Sequence, residues 1–270
     1  MAHEIGHHLQ RDFAGGVYQS RFKDVIEQAA TTAGAPAGPW EGWHEEVFAD
    51  VCSVLLTGPA GALATVEMLR DSTARMFSAG KSYPALVVRR RLMRGVLSAG
   101  GLTDAAVPRL PPVLDDGDLG AVDEPLRAAV DPHRAAADRV AAAVMQQPVN
   151  GHVLPRLLGW RAQRHTGGGE VQFWRDELLR ADAEPLPEEL PHTARTVLAG
   201  GVAAWQETVR IDDPGAREEA RFRLAERLRT LLTKSRSPGK RAGPVAGAAP
   251  DATSAPLVGA LFNPEIEREI

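Results

Sequence analysis

The sequence predicts a mainly α-helical chain, and three observations carry that expectation. Apolar residues recur at helical spacing, as at Phe48, Val51, Val54 and Leu55, and again at Phe222, Leu224, Leu228, Leu231 and Leu232 among alternating Arg and Glu. Glycine and proline punctuate these segments, at Gly15-Gly16, Gly58-Pro59, Gly80 and Gly100-Gly101. Strands, by contrast, are hard to find anywhere in the chain.

Taken in order, residues 1–14 read as a helix that ends near Gly15-Gly16, and 17–33 as an amphipathic helix. An Ala/Gly/Pro loop follows over 33–39. A helix over 40–57 stops at Gly58, and Pro59 starts the next. That helix is expected over 60–79, closed by Gly80. Pro84 sits where a helix begins, and 85–99 continues it to Gly100-Gly101. The Pro-, Gly- and Asp-rich stretch 101–119 reads as a boundary. Beyond it, 123–147 is helical with an interruption at Pro132. Further helices are expected over 153–165, 170–181, 192–209 and 214–234. Residues 235–256, rich in Pro, Ala, Gly and Ser, read as a flexible linker, and 257–270 as a C-terminal tail. The expected organisation is therefore a first unit over 1–100, a linker over 101–119, a helical region of unassigned role over 120–234, a flexible linker over 235–256 and the tail.

Composition narrows the function classes. With 44% hydrophobic residues the chain can build a core, as one large domain or two small ones. A net charge of −4 and a pI near 6.1 leave no basic footprint for nucleic acid. The single Cys52 excludes an internal disulfide framework and lies on the apolar side of its helix, where a buried thiol is expected. The most apolar stretch, 47–69, contains Asp50, Gly58-Pro59 and Glu67, so two amphipathic helices explain it better than a membrane span. No signal peptide is legible, and a cytoplasmic location is expected. The sequence does not specify an oligomeric state.

The chemistry is concentrated in two short motifs. His3-Glu4-Ile5-Gly6-His7 fits H-E-x-x-H. On a helix, residues four apart share a face, so His3 and His7 can aim both imidazoles at one metal ion, with Glu4 beside it to take a proton from water. Downstream, Glu46-Val47-Phe48-Ala49-Asp50 fits E-x-x-A-D. A catalytic zinc needs three protein ligands and an open position, and Glu46 can be the third. It is preferred to Glu45 because it stands four residues before Asp50, on the same face. Asp50 can then accept a hydrogen bond from the far nitrogen of a ligating histidine and fix its tautomer. His8 must point about 100° away from His7, and His44 lies on another face of the Glu46 helix. His133, His152, His165 and His192 show no ligand spacing and are read as structural.

This pair of motifs resembles the gluzincin metallopeptidases, in particular the soluble relatives of the CAAX prenyl protease branch. Tyr83-Pro84 followed by Arg89 resembles that branch's H-P-x-x-x-x-R segment, with Tyr83 in place of the usual histidine. The resemblance covers residues 1 to about 95. The longer H-E-x-x-H-x-x-G-x-x-H pattern of metzincins does not apply, because Gln10 and Phe13 stand where its glycine and third histidine belong. The resemblance implies a zincin-like helical metallopeptidase core and a Zn2+ ion on His3, His7 and Glu46. It implies Glu4 as general base in the hydrolysis of a peptide or protein substrate. It also implies an upstream helix and small sheet. Neither fits within Met1 and Ala2, so a core lacking its N-terminal sheet is expected. Tyr83 has two readings, an oxyanion donor or a packing residue before a helix-starting proline. Arg89, Arg90 and Arg91 form a basic run in which one could hold a carboxylate, although a solvated face is the usual meaning. The rival functional expectation is a non-catalytic helical scaffold or regulatory module derived from a metallopeptidase, with a structural or vestigial zinc site.

Overall fold

The computed structural model describes residues 2–12, 17–69, 71–102, 122–149, 152–160, 168–180, 194–208 and 210–234. These residues are mainly helical, as the sequence predicts. Most of the linker expected over 101–119 and both expected tail segments lie outside the described residues.

The organising element is α3 (Ala37–Thr57), in which every residue from 46 to 55 is buried. The expected single apolar face is thus a helix enclosed on all sides, the usual fate of a helix apolar around its whole circumference. Three elements cover it: α1 (Ala2–Asp12), α2 (Val17–Thr32) and α4 (Pro59–Met68). A fourth, α6 (Leu86–Ala99), closes the remaining side. Phe22 and Ile26 of α2 are fully buried, and Phe22 meets Phe48 edge-on at 4.9 Å between ring centres. Next in the chain after the 103–121 segment, α7 (Glu124–Gln146) packs along α6 and α2, so helices on both sides of that segment share one unit, Met1–Ser235.

Several element boundaries differ from the sequence reading, each for a local reason. The third helix begins at Ala37 rather than at residue 40. Pro39 lies in its first turn, where a missing N–H leaves no hydrogen bond unmade. The helix expected over 60–79 is broken. After α4 ends at Met68, Ser72 takes an extended conformation (ψ 151°) and its N–H bonds the Asp71 carboxylate at 2.6 Å. A short α5 (Thr73–Met76) restarts beyond it. Such side chain–backbone bonding competes with helix propagation. Pro132 does not interrupt α7. The carbonyl it leaves without a partner belongs to Ala128, and both residues are exposed, so water can satisfy it. Of the helix expected over 153–165, residues 161–165 lie outside the described residues; within 152–160 the helix is α8 (Leu154–Leu157), preceded by a two-residue antiparallel pairing of β1 (Pro148–Val149) with β2 (His152–Val153) and ended by Gly159 at φ 66°.

The last three helices, α9 (Gly168–Leu179), α10 (Ala194–Thr208) and α11 (Pro214–Lys234), pack on one another, and α10 also packs on α4. Leu178, Ala204 and Leu224 form their junction, with Trp205, Leu228 and Leu231 against it. No helix among the described residues is long and apolar enough to cross a membrane.

Candidate metal centre

The site lies where α1 crosses α3, and a glycine permits the crossing. Gly6 and Leu9 are buried on α1, whereas Glu4 and His8 are exposed. A Cβ on Gly6 would lie 2.6 Å from the Ala49 Cα and 3.1 Å from the Cys52 Cβ. Only a residue without a side chain allows the two backbones to approach so closely. His3 and His7 share the stripe that this approach carries onto α3.

The three expected ligands converge. His3 Nε2 lies 3.3 Å from Glu46 Oε2, and His7 Nε2 lies 3.3 Å from Glu46 Oε1. The two imidazoles meet edge-on, 4.8 Å between ring centres. One ligand atom from each of His3, His7 and Glu46 can be chosen so that all lie within 4.8 Å of one another. Metal–ligand distances of about 2.1 Å give a tetrahedron with edges of about 3.4 Å, close to the two histidine–carboxylate separations. Two imidazoles and one carboxylate also make a donor set suited to zinc. The residues present therefore fit such an ion. Glu45 does not join this group, His44 turns its Nδ1 to the Glu41 carbonyl at 2.8 Å, and His8 faces outward.

Behind the ligands sits a buried layer. Asp50 is fully buried, and its Oδ1 lies 3.1 Å from His3 Nδ1, the nitrogen facing away from Glu46. The distance suits a hydrogen bond, but its angle falls short of a well-formed one. Burial alone would lower the His3 pKa. The Asp50 and Glu46 carboxylates outweigh it and raise the value to about 9. Burial would likewise raise the Asp50 pKa, but the Arg89 charge and the hydrogen bonds from His3 and Arg89 hold it below the ordinary carboxylate range.

Of the two readings of the arginine run, Arg89 takes the one in which a residue holds a carboxylate. It is 5% exposed rather than on a solvated face. Its Nε and Nη2 donate to the two oxygens of Asp50, each at 2.8 Å, and its Nη1 lies 3.3 Å from Glu46 Oε2. Arg90 is buried too, and Arg91 donates to Asp138 on α7 at 2.8 Å. The Arg-Arg-Arg run by itself does not single out Arg89, because each residue turns about 100° from the last and only packing decides which faces inward; the spacing from Tyr83-Pro84 to Arg89 was the one sequence signal that did. Gly6 did carry a signal, since glycine inside a helix weakens it and usually has a packing reason. Tyr83 is 61% exposed and stands outside the His3–His7–Glu46 group, within electrostatic reach of Arg89. Cys52 lies under Gly6, fully buried, with its thiol pKa pushed up by burial.

A second cluster escaped the sequence reading. His133 packs edge-on against Trp43, 4.9 Å between ring centres, and near Trp40. Burial lowers its pKa, in keeping with a structural histidine. Comparison with known proteins finds no matching family model, no similar curated protein and no similar solved structure.

Proposed function

We propose that this chain is a zinc-dependent peptidase in which His3, His7 and Glu46 hold the ion and Glu4 is the general base. The observation that carries the reading is the convergence of two imidazoles and one carboxylate from separate helices, beside an exposed glutamate on the same helix as the histidines. When bound there, zinc would act as a Lewis acid, making water more acidic and the scissile carbonyl more electrophilic. Glu4 accepts a proton from the attacking water as the water oxygen bonds the carbonyl carbon. The carbon–nitrogen bond then breaks, and Glu4 returns that proton to the leaving amine, so atoms and charge balance. Asp50 orients His3 through the nitrogen turned away from the ligand side. Tyr83 is assigned no step.

A second reading has its own observation. Without any ion, protonated His3 and Arg89 balance the charges of Glu46 and Asp50. The cluster could then be a structural polar network in a helical scaffold. Elemental analysis separates the two. One zinc per chain in the wild type, lost in His7→Ala and in Glu46→Ala, is the expected result. A folded wild type that takes up no added zinc would remove the peptidase reading and leave the scaffold.

A further inference from the structure

The geometry points to Arg89 as a positioning residue that sets both carboxylates of the site at once, an inference that rests on the zinc reading and deepens it. Arg89 comes from α6, a helix that supplies no ligand, and its side chain is buried at the back of the cluster. It meets Asp50 through two parallel hydrogen bonds and Glu46 Oε2 through its third nitrogen. His3 faces the same two groups from the other side, with Nδ1 toward Asp50 Oδ1 and Nε2 toward Glu46 Oε2. The contacts therefore close a ring: His3, Asp50, Arg89, Glu46 and back to His3.

This ring has two consequences for a cation. A carboxylate gripped at both oxygens cannot rotate, so Asp50 presents a fixed acceptor to His3 Nδ1. With Nδ1 held toward Asp50, Nε2 is turned to the Glu46 side. Arg89 also engages Glu46 at Oε2, leaving Oε1 as the oxygen that faces His7. A lysine cannot replace Arg89, because a single ammonium does not span three oxygens in a plane.

The test compares wild type, Arg89→Lys, the paired Asp50→Asn/Arg89→Gln and the control Arg91→Lys, whose parent side chain bonds Asp138 on α7. Zinc affinity is read by competition with a chromogenic chelator, coordination by the visible spectrum of the Co2+ form, and folding by circular dichroism. The expected result is a loss of zinc affinity of about 10–100-fold in Arg89→Lys, with altered Co2+ bands and retained helicity. Arg91→Lys should match wild type. The paired variant removes both buried charges together and decides the question if Arg89→Lys does not fold; it too should bind zinc more weakly. Wild-type affinity and an unaltered Co2+ spectrum in the folded Arg89 variants would overturn the inference alone. A wild type that takes up no zinc would overturn it together with the reading on which it rests.

Discussion

Two regions of this molecule use arginine and acidic residues in opposite ways. At the crossing of α1, α3 and α6, Arg89, Asp50 and Glu46 are buried and bonded across helices far apart in sequence. Along α11, Arg223 bonds Glu219 and Arg229 bonds Glu226, within one helix and in water. The first arrangement fixes the relation between helices. The second decorates one helix, whose apolar contact with its neighbours is made by Leu224, Leu228 and Leu231. Solvent decides the difference. A buried charge without its partner is strongly penalised, whereas an exposed one is simply hydrated. The α9–α11 junction is apolar at its centre, and Arg221 bonds Thr208 and Arg227 the Arg180 carbonyl beside it.

The largest expected contrast is in activity. Glu4→Gln should lower peptide hydrolysis by about 10²–10⁴-fold while zinc content stays at the wild-type level. Glu226→Gln on α11 should leave both unchanged. Hydrolysis of a peptide library by Glu4→Gln at the wild-type rate would remove Glu4 from the mechanism. Next comes stability. Asp50→Ala strips the buried Arg89 of both its hydrogen bonds to Asp50, leaving only its contact with Glu46, and should destabilise by about 3–5 kcal/mol in urea melts. Glu219→Ala should cost about 0.3–0.5 kcal/mol. Equal costs would mean that the two kinds of ion pair are not different in kind.

Close packing gives a smaller contrast. In Gly6→Ala the new Cβ meets the Ala49 backbone, which cannot move aside, so a loss of about 1–3 kcal/mol is expected. In Gly201→Ala on α10 the clash is with the tip of the Leu228 side chain, which can rotate, so the loss should be less. Cys52 reports the first case directly. Its Cβ lies under Gly6, and loosening of α1 should speed the reaction of its buried thiol with a thiol reagent. Unchanged Cys52 reactivity in Gly6→Ala would show that α1 stays docked.

The smallest expected effect is on pH. In chelator-treated protein the His3 pKa is raised to about 9, above an unfolded value of about 6.5. Stability from this group is therefore fully present below the unfolded value and is lost as pH rises through about 9. After discounting for solvent screening the loss is on the order of 1 kcal/mol. Melts at pH 6.5 and pH 9.5 measure it, and His3→Gln should flatten the difference.

Much of this was legible in the sequence. Periodic apolar residues marked most of the helices, and Gly58 and Gly100-Gly101 marked stops that the structure keeps. The i, i+4 spacing put His3 with His7 and Glu46 with Asp50, because four residues is about one helical turn whatever the surroundings. The end of α4 at Met68 and the continuity through Pro132 were not legible. Each depends on a local contest, an Asp71 carboxylate bonding a backbone N–H in one case and solvent access to a carbonyl in the other.

By itself, then, the sequence determined which residues share a helical face, since that follows from a backbone period common to all α-helices. Only the tertiary structure decided which faces meet. Gly6 let α1 settle onto α3, and that contact brought the histidines of one helix to the glutamate of another. The turn of α6 chose Arg89 from three adjacent arginines to be buried against Asp50. The physical reason is that spacing along one helix is set by local hydrogen bonding, whereas the register between helices is set by the fit of whole surfaces, and no short stretch of sequence contains both sides of that fit.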